Sequence, residues 1–241
     1  KMVFESCIRK NSPATLTEIA KRAGKSVGIV STARITHATP AAMYGHAVSR
    51  GWEADKDVDE RAAKARCKGL AAQLLESDID IALGGGAGKF SDEQIAEWKN
   101  QDGHIYVTDR ESFHGAPKDR KLLGLFTPSH MSFEADRDVA REPSLSEMTA
   151  ATIDALSARG TGYVMMVEAG RVDHAHHGTN AFRAMRDMQA LNEAVKTAIE
   201  KTGDDTLILV TADHSHVFTM AGYPARGNPI LGLVHRPDPE A

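Results

Sequence analysis

Short apolar runs alternating with helical segments constrain this chain more than any other feature. Residues 26–32, 79–83, 104–108, 122–126, 164–167 and 206–210 read as strands, most of them apolar enough to be buried on both faces. Between them, helical spacing runs from a start at Ser12-Pro13 to Gly24, then over 41–49, 60–76, 91–99, a segment opened by Ser144, and 181–200. Residues 109–143, apart from 122–126, read as loop. Strands alternating with helices predict an α/β fold, a three-layer α/β/α sandwich around a mostly parallel sheet. The Gly84-Gly85-Gly86-Ala87-Gly88-Lys89 tract lacks phosphate-loop spacing, because Leu83 and Phe90 stand where that motif needs Gly and Ser or Thr. It reads as a tight turn leaving the sheet.

Three of the expected strands run into residues that ligate metals. Residues 164–167 lead to Glu168, then Asp173, His174, His176 and His177 within ten positions. With a helix starting near Val172, Asp173 and His177 share one face, one turn apart. Residues 26–32 lead to His37 and Thr39, and 206–210 lead directly to Asp213, His214 and His216. A parallel sheet brings such ends to one carboxyl edge. Carboxylate with imidazole suits zinc, and an oxygen-only pair such as Thr39 with Glu168 suits magnesium. A solvated helix start would account for Asp173 alone, but not for Glu168 at the end of an apolar strand, where a bare charge is costly. Arg50 lies at the expected far end of the 41–49 helix, with a planar fork suited to phosphate oxygens.

The remaining composition narrows the classes. The 241 residues, 41% hydrophobic and 26% charged, suit one domain with a real core. A net charge of −4 argues neither for nor against a nucleic-acid partner, but there is no dense basic patch and no such partner is expected. No apolar run approaches the roughly 18 residues of a membrane helix, and Lys1-Met2-Val3-Phe4 begins no signal peptide. Cys7 and Cys67, the two cysteines, are compatible with one disulfide or two thiols.

The chain resembles the alkaline phosphatase family, most closely its animal-type members. The resemblance is carried by STARITHATPAA at 31–42, the glycine turn at 84–86, LLGLF at 122–126, PSLSEMT at 143–149, VMMVEAGRVDHAHH at 164–177 and TADHSH at 211–216, in family order. It implies one alkaline phosphatase-like domain over 1–241, incomplete relative to a typical member. It also implies hydrolysis of phosphate monoesters at alkaline pH by two zinc ions and one magnesium. Thr39 and Glu168 match magnesium ligands, Asp173 and His177 match one zinc, and Asp213 and His214 match the other. Arg50 matches the arginine that grips substrate phosphate. His216 matches a histidine that orients a zinc-bound carboxylate, while His37 and His174 tune the phosphate environment. His176 has no such role and reads as a surface residue. Cys7 and Cys67 match a disulfide, implying a secreted, periplasmic or cell-surface location, and the family implies a homodimer. Thr127 stands in place of an acidic ligand, which argues against the peripheral calcium of some relatives.

The family's serine nucleophile, in an Asp-Ser-Ala motif, has no counterpart here: Ser6 and Ser12 lack that context. Two further family ligands, a bridging carboxylate and a third zinc histidine, are likewise unmatched, and the surroundings of His235 differ. The alternative reading is therefore a truncated, non-catalytic metal- or phosphate-binding remnant. A phosphodiesterase or mutase of the same superfamily ranks behind both.

Overall fold

The structure, a computed structural model, describes residues 12–217, 224–229, 233 and 235. Five parallel strands form one sheet in the order β3-β4-β2-β1-β5. They are β1 (Ser26–Arg34), β2 (Ile81–Gly85), β3 (His104–Val107), β4 (Lys121–Leu125) and β5 (Tyr163–Glu168). The helices that cover them are α1 (Leu16–Arg22), α2 (Ala38–Ala42), α3 (Glu60–Lys64), α4 (Leu70–Glu76), α5 (Asp92–Lys99), α6 (Arg110–His114), α7 (Leu145–Ala158), α8 (Arg171–His177) and α9 (Ala181–Lys201).

Alternation along β1 divides the core into two layers. Val27 and Ile29 pack with Ala20 of α1, Leu70 and Leu74 of α4 and Trp98 of α5. Val30 faces the opposite way, with Leu145, Met148 and Leu156 of α7 and Ala194 of α9. Gly28 lies on that second face. A Cβ there would stand 2.6 Å from the Thr152 methyl, so glycine lets α7 approach the sheet closely. The α/β/α sandwich is as the sequence predicts.

Several boundaries differ for local reasons. α1 begins at Leu16 rather than Pro13, because the Thr15 hydroxyl accepts from the Glu18 amide at 3.2 Å and Glu18 reciprocates. The expected 60–76 helix breaks into α3 and α4. Arg66 takes φ 65°, and Gly69 packs so closely on the Ala54 carbonyl that a Cβ would overlap it. Cys67 is buried in that break beside Trp52 and Ala62. The 41–49 helix shrinks to α2, since Gly45 lies against Leu70 and the following chain bonds to Gln73 through the His46 amide. Arg50 consequently lies in a loop. Within 109–143, read as loop, α6 forms with Asp109 as its cap. Among the described residues, 206–210 pair with no strand, and Leu207 and Leu209 are 81% and 80% exposed. Cys7 lies outside the described residues.

A buried carboxylate locks the amino edge of the sheet. Asp80, 4% exposed, accepts from Lys21 Nζ, Arg159 Nη1 and the Val27 amide, each at 2.7 Å.

At the carboxyl edge the glycine tract forms the expected tight turn, with Gly86 at φ 102°. A Cβ on Gly85 would overlap the Ser129 carbonyl, because the 127–131 loop crosses directly over it. Gly85→Ala is expected to destabilise the fold by about 1–3 kcal/mol, as overpacking does. A lowered urea midpoint at unchanged slope is the check.

Candidate metal centre

Every ligand-type cluster lies beyond the carboxyl ends of the strands. Pairing of Ser31 with Glu168 in the β1–β5 register puts the Ser31 hydroxyl 2.5 Å from Glu168 Oε2. The Thr39 side chain also hydrogen-bonds Glu168. Burial pushes the Glu168 carboxyl up, Ser31 and Thr39 pull it down, and nearby Asp213 and Asp173 push it up again. Thr39, Glu168, Asp173 and Asp213 thus gather at one place although their segments are far apart in sequence.

α8 starts at Arg171, and its pitch sets His177 Nε2 3.5 Å from Asp173 Oδ2. His216 Nε2 lies 3.4 Å and His214 Nε2 3.9 Å from Asp173 Oδ1. Ligand atoms of Asp173, His177 and His216 all fall within 4.8 Å of one another. Asp173 Oδ1 is buried with no hydrogen-bond partner among the described residues, an oxygen suited to a cation. These residues fit zinc, and Thr39 with Glu168 fits a harder ion. Asp213 and His214 are exposed and lie 3.4 Å apart. His214 is raised by the Ser215 carbonyl and Asp213. His176, read as a surface residue, is half-buried and stacks on His216 at 5.2 Å.

A second histidine group adjoins the first. His37 caps α2, His174 lies on α8, and His130 arrives on the loop after β4. Ring centroids are 4.2 Å apart for His130–His174, 5.1 Å for His37–His130 and 5.4 Å for His37–His174. Burial, then neighbouring histidine or arginine charge, lowers all three: His130 to about 3, His174 to about 4, and His37 in the same direction. The exposed Arg50 reaches His37 Nε2 at 3.1 Å. Arg34 is held by Glu53 at 2.6 and 2.7 Å, and Thr36 binds the same carboxylate at 2.6 Å. Sequence reasoning missed His130, Arg34 and Glu53. A lone histidine in a Pro-Ser-His turn directly after an apolar strand was the available signal.

The loop that carries His130 is tied back to α8 and α9. Phe133 is stacked by Arg171 at 3.7 Å and Arg183 at 4.7 Å, and Asp187 accepts from the Glu134 amide at 3.2 Å. Asp187 is 3% exposed. Burial raises its carboxyl to about 6, against the lowering effects of the Glu134 amide and Arg171. An unfolded aspartate titrates near 3.9. Between those values the folded state binds the extra proton, so stability falls as pH rises from about 4 to about 6. Asp187→Asn is expected to abolish that window, a difference of about 2–3 kcal/mol between wild type and variant. Urea titrations at pH 4.5 and 7.5 read it directly.

An open parallel sheet with ligand-bearing loops at one edge defines a doubly wound α/β protein built for ligands there. The chain belongs to the alkaline phosphatase family, whose model matches residues 6–239. It is 37% identical over 254 residues to the human tissue-nonspecific alkaline phosphatase, covering 92% of this chain and 48% of that protein. The chicken isozyme is 40% identical, covering 89% and 47%. Among solved structures, the cold-active alkaline phosphatase of a psychrophilic Shewanella matches with TM-score 0.68 and 30% identity over 80% of this chain and 44% of that one. A variant alkaline phosphatase of the Antarctic bacterium TAB5, solved with Mg in its M3 site, matches with TM-score 0.61 and 27% identity over 78% and 51%. The chain spans about half the length of the curated relatives it matches.

Proposed function

We propose that these residues form the central part of a phosphate-monoester hydrolase working at alkaline pH with two zinc ions and one magnesium. The observation that carries the reading is the convergence of Thr39, Glu168, Asp173, His177, Asp213, His214 and His216 at one sheet edge, with an orphaned Asp173 oxygen among them. Thr39 and Glu168 would hold magnesium, Asp173 and His177 one zinc, and Asp213 and His214 the other. When bound, a close metal pair stabilises attacking and leaving oxygens at phosphorus. This chain's own residues then do the positioning. Arg50, tethered to His37, grips the phosphate; His216 orients Asp173; and Ser31 fixes the Glu168 carboxylate. His37 and His174 stay neutral beside the phosphate. The phosphoserine of the family route requires a serine that is not among these residues. A homodimer, a secreted, periplasmic or cell-surface location and a Cys7–Cys67 bridge complete the proposal. The burial of Cys67 supports the bridge.

A specific observation favours a second reading, a non-catalytic remnant that binds metal or phosphate. Among the described residues each zinc finds two of the proposed ligands, where a catalytic zinc has three. Hydrolysis of an aryl phosphate at alkaline pH by the whole protein that contains these residues, with zinc and magnesium supplied, separates the two. The enzyme reading expects turnover, and a loss in kcat/KM of about tenfold to hundredfold in Arg50→Ala, the worth of a hydrogen bond to a charged group. Bound metal without turnover, unchanged by that substitution, would leave only the remnant.

A further inference from the structure

Short side chains on α7 leave a gap in the second layer of the core. Ala150, Ala151 and Ala155 face Ile81 and Leu83 of β2 and Leu122 of β4 across a cavity of about 270 Å³. Phe113 of α6, with Ala116 and Pro117 after it, closes the other side. Protein interiors hold few voids larger than a water molecule, and an apolar cavity of about 150 Å³ already takes up benzene. None of the proposed metal ligands lines this space. Ile81 opens β2 and Leu122 is second in β4, so the cavity lies nearer the amino edge of the sheet.

The lining holds one polar atom that the fold leaves unused. Thr152 is fully buried, and its Oγ1 finds no hydrogen-bond partner among the described residues. A helical threonine can bond back one turn, as Thr149 does to the Leu145 carbonyl at 2.7 Å and Thr202 to the Ala198 carbonyl at 2.8 Å. Thr152 instead turns its methyl against Gly28, where a Cβ would stand 2.6 Å away. Fixing the methyl of a β-branched side chain fixes its hydroxyl as well. A buried hydroxyl without a partner is costly, so an occupant that supplies one is favoured. The rim supplies charge. Its carboxylates are already held, Glu147 by Arg110 at 2.6 Å and His114 at 3.1 Å, and Asp154 by Lys201 at 2.8 Å. Lys118 shares that same Asp154 at 3.4 Å, and Arg120 meets the exposed Asp119 at 3.8 Å. Exposed pairs of that length contribute little, which leaves the rim receptive to an anion. We propose that the cavity binds a small aryl carboxylate bearing a phenolic hydroxyl. The ring lies on Ile81, Leu83 and Phe113, the hydroxyl meets Thr152 Oγ1, and the carboxylate meets Lys118 and Arg120. This site does not depend on the phosphatase reading.

Calorimetric titration of the whole protein with para-hydroxyphenylacetate, phenylacetate and para-hydroxyphenylethanol tests this. The first is expected to bind with a Kd of about 1 mM or tighter. Its margin should be about threefold to tenfold over phenylacetate, which lacks the hydroxyl, and about tenfold over the alcohol, which lacks the charge. Thr152→Val should remove the first preference and keep the second. Arg120→Ala should keep the first and shrink the second to within about threefold, Lys118 remaining. Saturating inorganic phosphate should change none of these affinities, since the metal centre lies elsewhere. Equal affinities for the three compounds, a Kd weaker than about 10 mM for all of them, a preference that survives its own substitution, or displacement by phosphate would each overturn the proposal. Should Thr152→Val fail to fold, Arg120→Ala, at a side chain 50% exposed, decides the question together with the wild-type series. Binding needs no turnover, so failed hydrolysis would count against the enzyme reading and leave this result standing.

Discussion

Replacing Asp80 with alanine is expected to cost the fold about 3 kcal/mol, the lower end for breaking a buried ion pair. The carboxylate is the shared acceptor of Lys21, Arg159 and the Val27 amide. Its removal leaves two cations and a strand N–H without their partner. The cost stays at the lower end because Lys21 and Arg159 side chains keep 19% and 22% exposure, so water recovers part of the loss. Asp80→Asn keeps one acceptor for the Val27 amide and should cost less. Urea unfolding reads both, as a lowered midpoint at unchanged slope. A loss below about 1 kcal/mol in the alanine variant would show that the cluster is merely a solvated pair.

Asp173→Ala carries the largest expected effect on metal. Its buried Oδ1 has no hydrogen-bond partner among the described residues, and His177, His214 and His216 all approach this side chain within 3.9 Å. Losing a residue that only supports a ligand costs roughly 10–100-fold in metal affinity, so losing the ligand itself should exceed about 100-fold. Zinc content after dialysis measures it. The fold should remain, since α8 is tied down independently through Ala175 and the bond from the Arg171 amide to Thr32. Undiminished zinc would remove Asp173 from the ligand set.

Periodicity and strand-end chemistry were enough to place the sheet, α7, α8 and α9, because each of these buries a face whose spacing is written locally. α8 is the clearest case: a strand, a glycine and an Asp-x-x-x-His spacing specify both helix and site. What escaped depended on distant partners. The break between α3 and α4 follows from Gly69 packing on Ala54, which no window of sequence reveals. His130 is isolated in its own segment and gains meaning only when the loop after β4 folds over Gly85 towards His37 and His174. Residues 206–210 carry a strand's composition, yet a strand exists only where a neighbour pairs with it.

The two edges of the sheet also differ in what they will tolerate from an engineer. Gly24 and Gly160 sit in turns at the amino edge with nothing within 4 Å of where a Cβ would stand, so the surrounding space is open, although φ values of 71° and 68° favour glycine itself at both. Gly160 follows α7 and precedes β5, on the opposite end of the strands from Glu168, Asp173 and His177. A reporter peptide or an affinity tag inserted at Gly160 should leave the distances among Glu168, Asp173 and His174 intact. The same insertion between Gly85 and Lys89 would displace the loop that delivers His130.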